Sequence, residues 1–378
     1  MRQWRHDIHR HPELAFEEHR TANKVADLLR EFGIEVHTGI GNTGLVGVLR
    51  KGNSDRMIGL RADMDALKIQ EQNTFEHRSV HEGKMHACGH DGHTAMLLGA
   101  AKVLASEVDF DGTVVFIFQP AEEHGEGARS MISDGLFEKF PVSSVYAIHN
   151  FPSLETGKFA VRAGSIMAAE DNFEITISGT GCHAAMPHLG KDPIVIGSEI
   201  VTAMQSLVSR TLNPMDNAVV SFTEFITNGT INVVPSQVIL KGDTRSLTVE
   251  VQQHIETIME RIVSGICAAH GASYEFRYVR NFVPTVNTQN EANIASRVAE
   301  KVVGAENVVS DSRPVMTSED FGYMLQAKPG AYLLLGNGVE GVGGCSLHNP
   351  AYDFNDEILG IGADFWVSLV SSELDGTD

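Results

Sequence analysis

The sequence predicts an α/β protein in which a mixed central sheet with flanking helices is interrupted by a smaller α+β unit. Short apolar runs, suited to strands buried on both faces, alternate with helical stretches, and the pattern changes near residue 169. A chain of 378 residues can form two domains, or one domain with an insertion. We therefore assign 1–168 and 283–378 to the larger domain and 169–282 to the inserted one.

The larger domain opens with a helical stretch over residues 1–33 that Pro12 interrupts. Four histidines of this stretch resemble ligand candidates, but a solvated helix face is expected for most of them: His6, His9, His11 and His19. The apolar pattern also predicts helices over 94–104, 289–303 and 354–369, and a buried strand over 331–335.

Three apolar runs of this domain end in residues that can do chemistry. The runs cover 57–60, 114–118 and 145–148, and the residues that follow them are Asp63, Asp65, Glu122, Glu123 and His149. Open α/β sheets build their sites at the carboxyl ends of strands. An isolated Asp-x-Asp or Glu-Glu pair is more often a solvated loop tip. The recurrence at three strand ends predicts one shared site.

The inserted unit has a different pattern. Residues 173–178 alternate between apolar and polar side chains, which is typical of a sheet with one solvated face. The strands and helices that follow give the order β-α-β-β-α-β, which predicts a ferredoxin-like α+β unit. Its remaining elements are expected over 192–210, 219–225, 238–247, 250–269 and 274–279.

The composition excludes some classes of partner. The 49 acidic and 29 basic residues give a net charge of −20, which argues against nucleic acid or an anionic membrane as the main partner. The four cysteines are scattered without the spacing of a disulfide framework, which favours a reducing compartment. With no stretch typical of a signal peptide or a membrane span, we expect a cytoplasmic protein.

The segment Met85–His93 is the strongest candidate for metal binding. Its nine residues include three His, one Cys and one Asp, and two Gly allow sharp turns. A thiolate and an imidazole two residues apart, as in Cys88 and His90, can reach one transition metal. The alternative is a polar loop whose histidines lie in water. His348, alone on a turn-prone loop, is by itself more often structural than ligating.

Eight motifs follow one another along almost the whole chain. They are Asp-Ile-His-Arg-His-Pro-Glu (7–13), Leu-Arg-Ala-Asp-Met-Asp-Ala-Leu (60–67), Met-His-Ala-Cys-Gly-His-Asp-Gly-His-Thr (85–94), Gln-Pro-Ala-Glu-Glu (119–123), His-Ala-Ala-Met-Pro-His (183–188), Asn-Val-Val-Pro (232–235), Ser-Glu-Asp-Phe (318–321) and His-Asn-Pro (348–350). Together they closely resemble the dinuclear metal amidohydrolases that include hippurate hydrolases, bacterial N-acyl-amino-acid deacylases and plant auxin-conjugate hydrolases. These enzymes form a branch of the aminoacylase/carboxypeptidase superfamily.

The resemblance implies a catalytic domain with two divalent metal ions, manganese or zinc. Glu122 matches the family's general base, and Asp63 and Asp65 match acids that support the metal site. The expected metal ligands are Cys88, His90, Glu123, His149 and His348.

The resemblance also implies that the inserted unit is a lid through which the protein forms a homodimer or a larger homo-oligomer. His183 matches a residue that reaches the neighbouring subunit's active site and steadies the oxyanion. Asn232 and Arg245 match positions expected to hold a substrate carboxylate. Cys182 departs from the family, in which most members have Gly, and this departure bears on substrate preference.

The expected reaction is hydrolysis of the amide bond of N-acyl-L-amino acids. A water that bridges the metals would be the nucleophile, and Glu122 would take its proton. A dipeptidase or carboxypeptidase of the same superfamily is the alternative enzyme. A catalytically silent relative that binds metal is a further alternative, and loss of the base or of a ligand would favour it.

Overall fold

The computed structural model describes residues 1–375, which form two compact units. The strands are β1 (Glu35–Thr38), β2 (Leu45–Lys51), β3 (Met57–Asp63), β4 (Gly112–Gln119), β5 (Ser144–Pro152), β6 (Phe159–Ala160), β7 (Gly164–Met167), β8 (Ala169–Ser178), β9 (Cys182–His183), β10 (Ala218–Thr227), β11 (Val233–Val234), β12 (Gln237–Ser246), β13 (Ser273–Phe282), β14 (Thr285–Asn287), β15 (Val308–Val309) and β16 (Gly330–Gly338). The helices are α1 (Arg2–Arg10), α2 (His19–Glu31), α3 (His90–Ser106), α4 (Gly127–Ser133), α5 (Leu136–Lys139), α6 (Pro193–Ser206), α7 (Val249–His270), α8 (Gln289–Val303), α9 (Phe321–Ala327) and α10 (Ile358–Glu373). Single turns of other helix types lie at Glu122–His124, Pro187–Leu189, Leu207–Thr211 and Ala305–Asn307.

The first unit contains Met1–Ile166, Thr285–Arg313 and the chain from Glu319 onward. Its eight-stranded sheet has the order β1-β2-β4-β3-β5-β16-β6-β15. Strands β4, β3, β5 and β16 are neighbours in the centre of the sheet and run parallel to one another. Strands β2 and β6 flank this group and run antiparallel to β4 and β16. The predicted mixed sheet with flanking helices is therefore confirmed. The four parallel strands have their carboxyl ends at one edge.

The sheet is covered on both faces, as its apolar strands require. All eight residues of β4 and all nine of β16 are buried, and α3 and α10 contribute much of the core that covers them. Gly92 lies in the first turn of α3, where a Cβ atom would come within 2.2 Å of the Phe354 ring. Only glycine lets this helix start pack so closely. Among residues 1–375, no helix is both long and apolar enough to span a membrane.

The second unit contains Met167–Pro284 together with Pro314–Ser318. Its antiparallel sheet has the order β10-β12-β8-β13, and α6 and α7 bury their apolar residues against one face. The observed succession β8-α6-β10-β12-α7-β13 confirms the predicted β-α-β-β-α-β order. The predicted bounds 169–282 leave out Pro314–Ser318, which belongs to this unit in the structure. That segment is attached by a hydrogen bond from the Ala168 amide to the Thr317 carbonyl (2.9 Å).

Several element boundaries differ from the expected ones. The stretch 1–33 forms two helices, α1 and α2, and the helix expected over 354–369 covers 358–373. Helix α3 begins at His90 instead of residue 94, because Gly89 takes a left-handed conformation (φ 99°) that lets the chain turn directly into the helix. Solvent exposure, expected for most of the four histidines near the N-terminus, is not found for His9, whose side chain is fully buried.

The core of the second unit contains one buried carboxyl group. Asp171 on β8 is 1% exposed, and it accepts hydrogen bonds from the Tyr278 hydroxyl and the Gln252 side-chain amide, each 2.7 Å long. Burial raises the pKa of Asp171 to about 6, although both hydrogen bonds act in the opposite direction. The folded state therefore favours the protonated form.

We predict that Asp171 lowers the free energy of unfolding as the pH rises from about 4 to about 6. The unfolded chain releases the Asp171 proton near pH 4 whereas the folded chain keeps it to about pH 6, so the loss reaches about 3 kcal/mol and is then constant. Asp171→Asn should remove this loss. Urea unfolding at pH 4.5 and 7 measures it, with Asp216→Asn, an exposed site in the same unit, as control. Equal pH dependence in both variants would contradict the prediction.

Candidate active site

The candidate site lies at the edge where the four parallel strands have their carboxyl ends. Strand β3 ends at Asp63, whose register partner is Gln119 at the end of β4. The turn after β4 carries Glu122 and Glu123, and β5 carries His149. This arrangement follows from the parallel order of the strands.

Three residues in the left-handed region shape the backbone of the site. Gly89 (φ 99°), Ala121 (φ 51°) and His348 (φ 62°) each lie at or beside a predicted functional residue. For a residue with a side chain this conformation costs about 1 kcal/mol or more. Hydrogen bonds hold both non-glycine residues: the Ala121 amide donates to Glu18 (2.9 Å) and the His348 amide to the Ala87 carbonyl (2.8 Å).

The five predicted metal ligands form one continuous group. One donor atom from each of Cys88, His90 and Glu123 lies within 4.8 Å of the other two. The Cys88 Sγ is 3.4 Å from the Nε2 of His149. The Nε2 of His348 is 3.4 Å from a carboxylate oxygen of Glu123. Residues that are up to 260 positions apart in sequence, 88 and 348, thus meet at one place.

Hydrogen bonds at the Nδ1 of two imidazoles leave the Nε2 of each as the nitrogen that can bind a cation. The Nδ1 of His149 donates to the Asn150 carbonyl (2.7 Å), and the Nδ1 of His90 donates to Asp65 (3.1 Å). The Nε2 of His90 and the Oε1 of Glu123 are buried, and neither has a hydrogen-bond partner within residues 1–375. Because buried polar atoms without partners are rare, these atoms fit a site built for a metal ion.

The electrostatics of the cluster also fit a cation. Burial and the nearby Glu123 carboxylate raise the pKa of the Cys88 thiol well above its usual value. Burial would lower the pKa of His90, but the charges of Asp63 and Asp65 outweigh this effect and raise it to about 10. Without a cation both groups therefore hold protons. A divalent ion would replace these protons, since thiolate and neutral imidazole are the forms that bind metals.

The two strand-end aspartates support side chains of the site. Asp63 accepts a hydrogen bond from the Nδ1 of His93 (2.6 Å), and the Nε2 of that ring accepts one from the Asn150 amide (3.0 Å). One oxygen of Asp65 orients His90, and the other accepts a hydrogen bond from the Glu123 backbone amide (3.0 Å). Both nitrogens of His93 are thus engaged, which indicates a supporting side chain.

Sequence reasoning missed the buried Arg61, which ties together four side chains of the site. Its guanidinium donates to Asp63 (2.6 Å), Glu319 (2.9 Å), Asp320 (3.1 Å) and Gln119 (2.9 Å). These partners lie on β3, on β4 and before α9. Buried carboxylates are stable only when such charge-assisted bonds satisfy them.

Glu122 lies against this network. One oxygen each of Glu122, Glu319 and Asp320 lies within 4.8 Å of the other two, and all three residues are buried. Burial, with the negative charges of Glu319 and of the neighbouring Glu123, raises the pKa of Glu122 well above its usual value. The motif 318–321 was the signal in the sequence for this contact, but no role followed from the motif alone.

A family model described as peptidase family M20/M25/M40 matches residues 59–372. The chain belongs to this peptidase family. Hippurate hydrolase from Campylobacter jejuni is 44% identical over 97% of this chain and 94% of its own length. Thermostable carboxypeptidase 1 from Saccharolobus solfataricus is 38% identical over 96% of this chain and 92% of its own. The crystal structure of a dinuclear metal-binding M20 peptidase from Bacillus subtilis has a TM-score of 0.86, with 32% identity over 99% of this chain and 98% of that one.

The remaining predicted residues of this M20 chain belong to its second unit. His183 and Asn232 are neighbours, because β9 pairs with β11 and the Ala184 amide donates to the Asn232 carbonyl (3.0 Å). The Nδ1 of His183 accepts the Ala185 amide (3.1 Å), so the exposed Nε2 carries the proton.

Arg245 has partners of its own on the sheet of the second unit. Its guanidinium contacts Glu170 (2.8 Å), Asp243 (2.9 Å) and the Ser318 hydroxyl (3.1 Å). Two carboxylates thus already neutralise the charge that was expected to hold a substrate carboxylate. Arg245 also holds Ser318 against the sheet.

We predict that a divalent metal stabilises the protein through Cys88. After chelation, an excess of Zn²⁺ or Mn²⁺ should raise the wild-type unfolding temperature, because ligand at 100 times its Kd stabilises the folded state by about 2.7 kcal/mol. Cys88→Ala should lose most of this rise, whereas Cys182→Ala, a thiol of the second unit, should keep it. Equal rises in both variants, measured by differential scanning fluorimetry, would contradict the prediction.

Proposed function

We propose that this protein hydrolyses the amide bond of N-acyl-L-amino acids with two divalent metal ions, manganese or zinc. The observation that carries the proposal is Glu122, a buried carboxyl group that lies 4.0 Å from the Nε2 of His90, one member of a group of five side chains of metal-binding type. The 44% identity to a hippurate hydrolase supports the substrate class, since hippurate is an N-acylated glycine.

The metal ions would be held by the five predicted ligands: Cys88, His90, Glu123, His149 and His348. Bound there, the ions would make a shared water acidic and polarise the carbonyl group of the amide. The Cys88 thiolate favours zinc, whereas the carboxylate and imidazoles also accept manganese. The dinuclear M20 peptidase from Bacillus subtilis supports the number of two ions.

Glu122 would act first as a base and then as an acid. It would accept the proton of the attacking water and return it to the nitrogen of the leaving amine. The second step needs a carboxyl group that holds its proton, and the burial and charged neighbours of Glu122 favour the protonated form. The products would be a carboxylic acid and a free amino acid.

Three residues of the second unit would bind the substrate or its transition state. His183 would donate a hydrogen bond from its Nε2 to the oxyanion, as a preorganised donor at an exposed position. Asn232 and Arg245 would hold the substrate carboxylate. For Arg245 this requires that the substrate compete with Glu170 and Asp243 for the guanidinium.

Replacing the Glu122 carboxyl group should lower turnover strongly without releasing the metal. We predict that Glu122→Gln lowers kcat for hippurate by about 100-fold or more, because a general base contributes 10²–10⁴-fold. Metal content after gel filtration should stay at the wild-type value. Glu126→Gln, an exposed carboxylate two residues beyond the turn, is the control for both measurements. Near-normal turnover in Glu122→Gln would refute the assigned base.

The alternative is a carboxypeptidase or dipeptidase, which the 38% identity to thermostable carboxypeptidase 1 favours. The hydrolysis assay with several substrates decides between the two functions. A carboxypeptidase or dipeptidase would prefer peptides with a free α-amino group to acetyl-, benzoyl- or indolyl-acetyl-amino acids. A catalytically silent metal-binding relative would bind metal and hydrolyse neither class. The chain keeps Glu122 and all five ligands, which speaks against that alternative.

We also propose that the protein is a homodimer formed through its second unit. Strand β10 is at the edge of that sheet, where Phe225 and Ile226 are about 40% exposed. Val195 on the adjacent α6 is also exposed. An unpaired edge strand with apolar side chains is suited to pairing with a second copy. The cytoplasm is the proposed location, since all four cysteines are unpaired and suit a reducing compartment.

A charge on this edge should break the dimer. We predict that Ile226→Lys shifts the mass in sedimentation from dimer to monomer and lowers kcat, because His183 would no longer reach a partner's site. Val309→Lys changes an equally exposed residue on β15, one of the two edge strands of the eight-stranded sheet, and should keep both mass and activity. A monomeric wild type with full activity would rule out action across subunits.

A further inference from the structure

Helix α1 buries two cationic side chains on one face. Arg5 and His9 are four residues apart, and they are 1% and 0% exposed. Two like charges at this spacing destabilise a helix, and burial of an unpaired charge costs several kcal/mol. The pair therefore requires buried anions around it. Neither residue belongs to the ligand group described above.

The first anion is Asp91, the residue directly after the predicted ligand His90. Its side chain is fully buried in the first turn of α3. One oxygen of Asp91 accepts hydrogen bonds from the Nδ1 of His9 (2.9 Å) and from the Arg5 guanidinium (3.3 Å). The two cations therefore hold the start of the helix that carries His90.

The second anion is Glu71, in the irregular segment between β3 and α3. It accepts a hydrogen bond from the Nε2 of His9 (3.2 Å). The residues beside it are bonded to the chain after His348: the Gln72 amide donates to the Pro350 carbonyl (2.9 Å), and the Asn73 side chain donates both to Glu71 (3.0 Å) and to the Tyr352 carbonyl (2.8 Å).

Arg5 binds the same region directly. Its guanidinium donates to Asp353 (2.9 Å) and to Asp356 (2.5 Å). The two cations of α1 thus have four carboxylate partners, one beside His90 and three around the segment that follows His348. Burial would lower the pKa of His9, but the Asp91 and Glu71 carboxylates outweigh it and raise it to about 9, so the ring donates from both nitrogens at neutral pH.

We propose that Arg5 and His9 are positioning residues of the metal centre. Through Asp91 they would fix the position of His90. Through Glu71, Asp353 and Asp356 they would fix the segment that carries His348. This inference rests on the proposed metal-dependent function and adds a role for α1, which contributes no ligand. Residues that orient metal ligands typically change metal affinity 10–100-fold when they are replaced.

Two variants of His9 separate its two bonds. His9→Asn keeps a donor near the position of Nδ1 and thus the bond to Asp91, whereas His9→Gln keeps a donor near Nε2 and thus the bond to Glu71. We expect both to raise the apparent Kd for Zn²⁺ or Mn²⁺ about tenfold or more in competition with a chelator. His11→Asn is the matched control, since His11 directly follows the same helix and its ring contacts His81 instead of one of the four carboxylates.

A purely structural role gives a different result. In that case the His9 variants would unfold at a lower temperature without metal, but their metal Kd and their kcat at saturating metal would equal those of His11→Asn. That outcome overturns the proposal. Arg5→Lys keeps the positive charge but loses the bidentate guanidinium, so it should weaken metal binding as well. If a His9 variant does not fold, the metal Kd of Arg5→Lys tests the positioning role instead.

The wild type distinguishes this proposal from the proposed function. If wild-type protein binds no metal and hydrolyses no N-acyl amino acid, the function is wrong. If it does both and the Arg5 and His9 variants have the wild-type Kd, only the positioning role is wrong.

Discussion

The site depends on one buried interaction, the guanidinium of Arg61 among three carboxylates. Asp63, Glu319 and Asp320 come from β3 and from the segment before α9, and Arg61 bonds all three at 2.6–3.1 Å. Without this cation, three buried carboxylates would lose their shared guanidinium partner, and removing one partner of a buried ion pair is strongly destabilising. Arg61 therefore stabilises the buried acidic residues that lie next to Glu122.

Negative charge accumulates beyond what Arg61 can neutralise, and this excess explains why the site suits a metal ion. Glu122 and Glu123 add two carboxyl groups, and the Cys88 thiol beside them holds its proton in the absence of a cation. Two buried ligand atoms, on His90 and Glu123, have no partner within residues 1–375. A divalent cation would satisfy these atoms and balance the charge, so binding and stability would be coupled.

Much of the fold and of the candidate ligand group could be predicted from the sequence. Period-two alternation in residues 173–178 indicated the half-exposed sheet of the second unit, because one face of that sheet lacks cover. The apolar runs before Asp63 and Glu122 indicated buried strands whose ends share one site. The supporting residues could not be predicted, since Arg61 and His9 have no local pattern and their partners are up to 259 positions away.

The sequence by itself determined which residue types follow each strand, and so which side chains were candidates for the metal group. Only the tertiary structure decided their surroundings. It buries His9 on α1 and places His348 beside Glu123, and it gives Arg245 two carboxylate partners. The physical reason is that hydrophobic periodicity is a local property of the chain. The pairing of buried charges instead depends on which distant segments the packed core brings within hydrogen-bond distance.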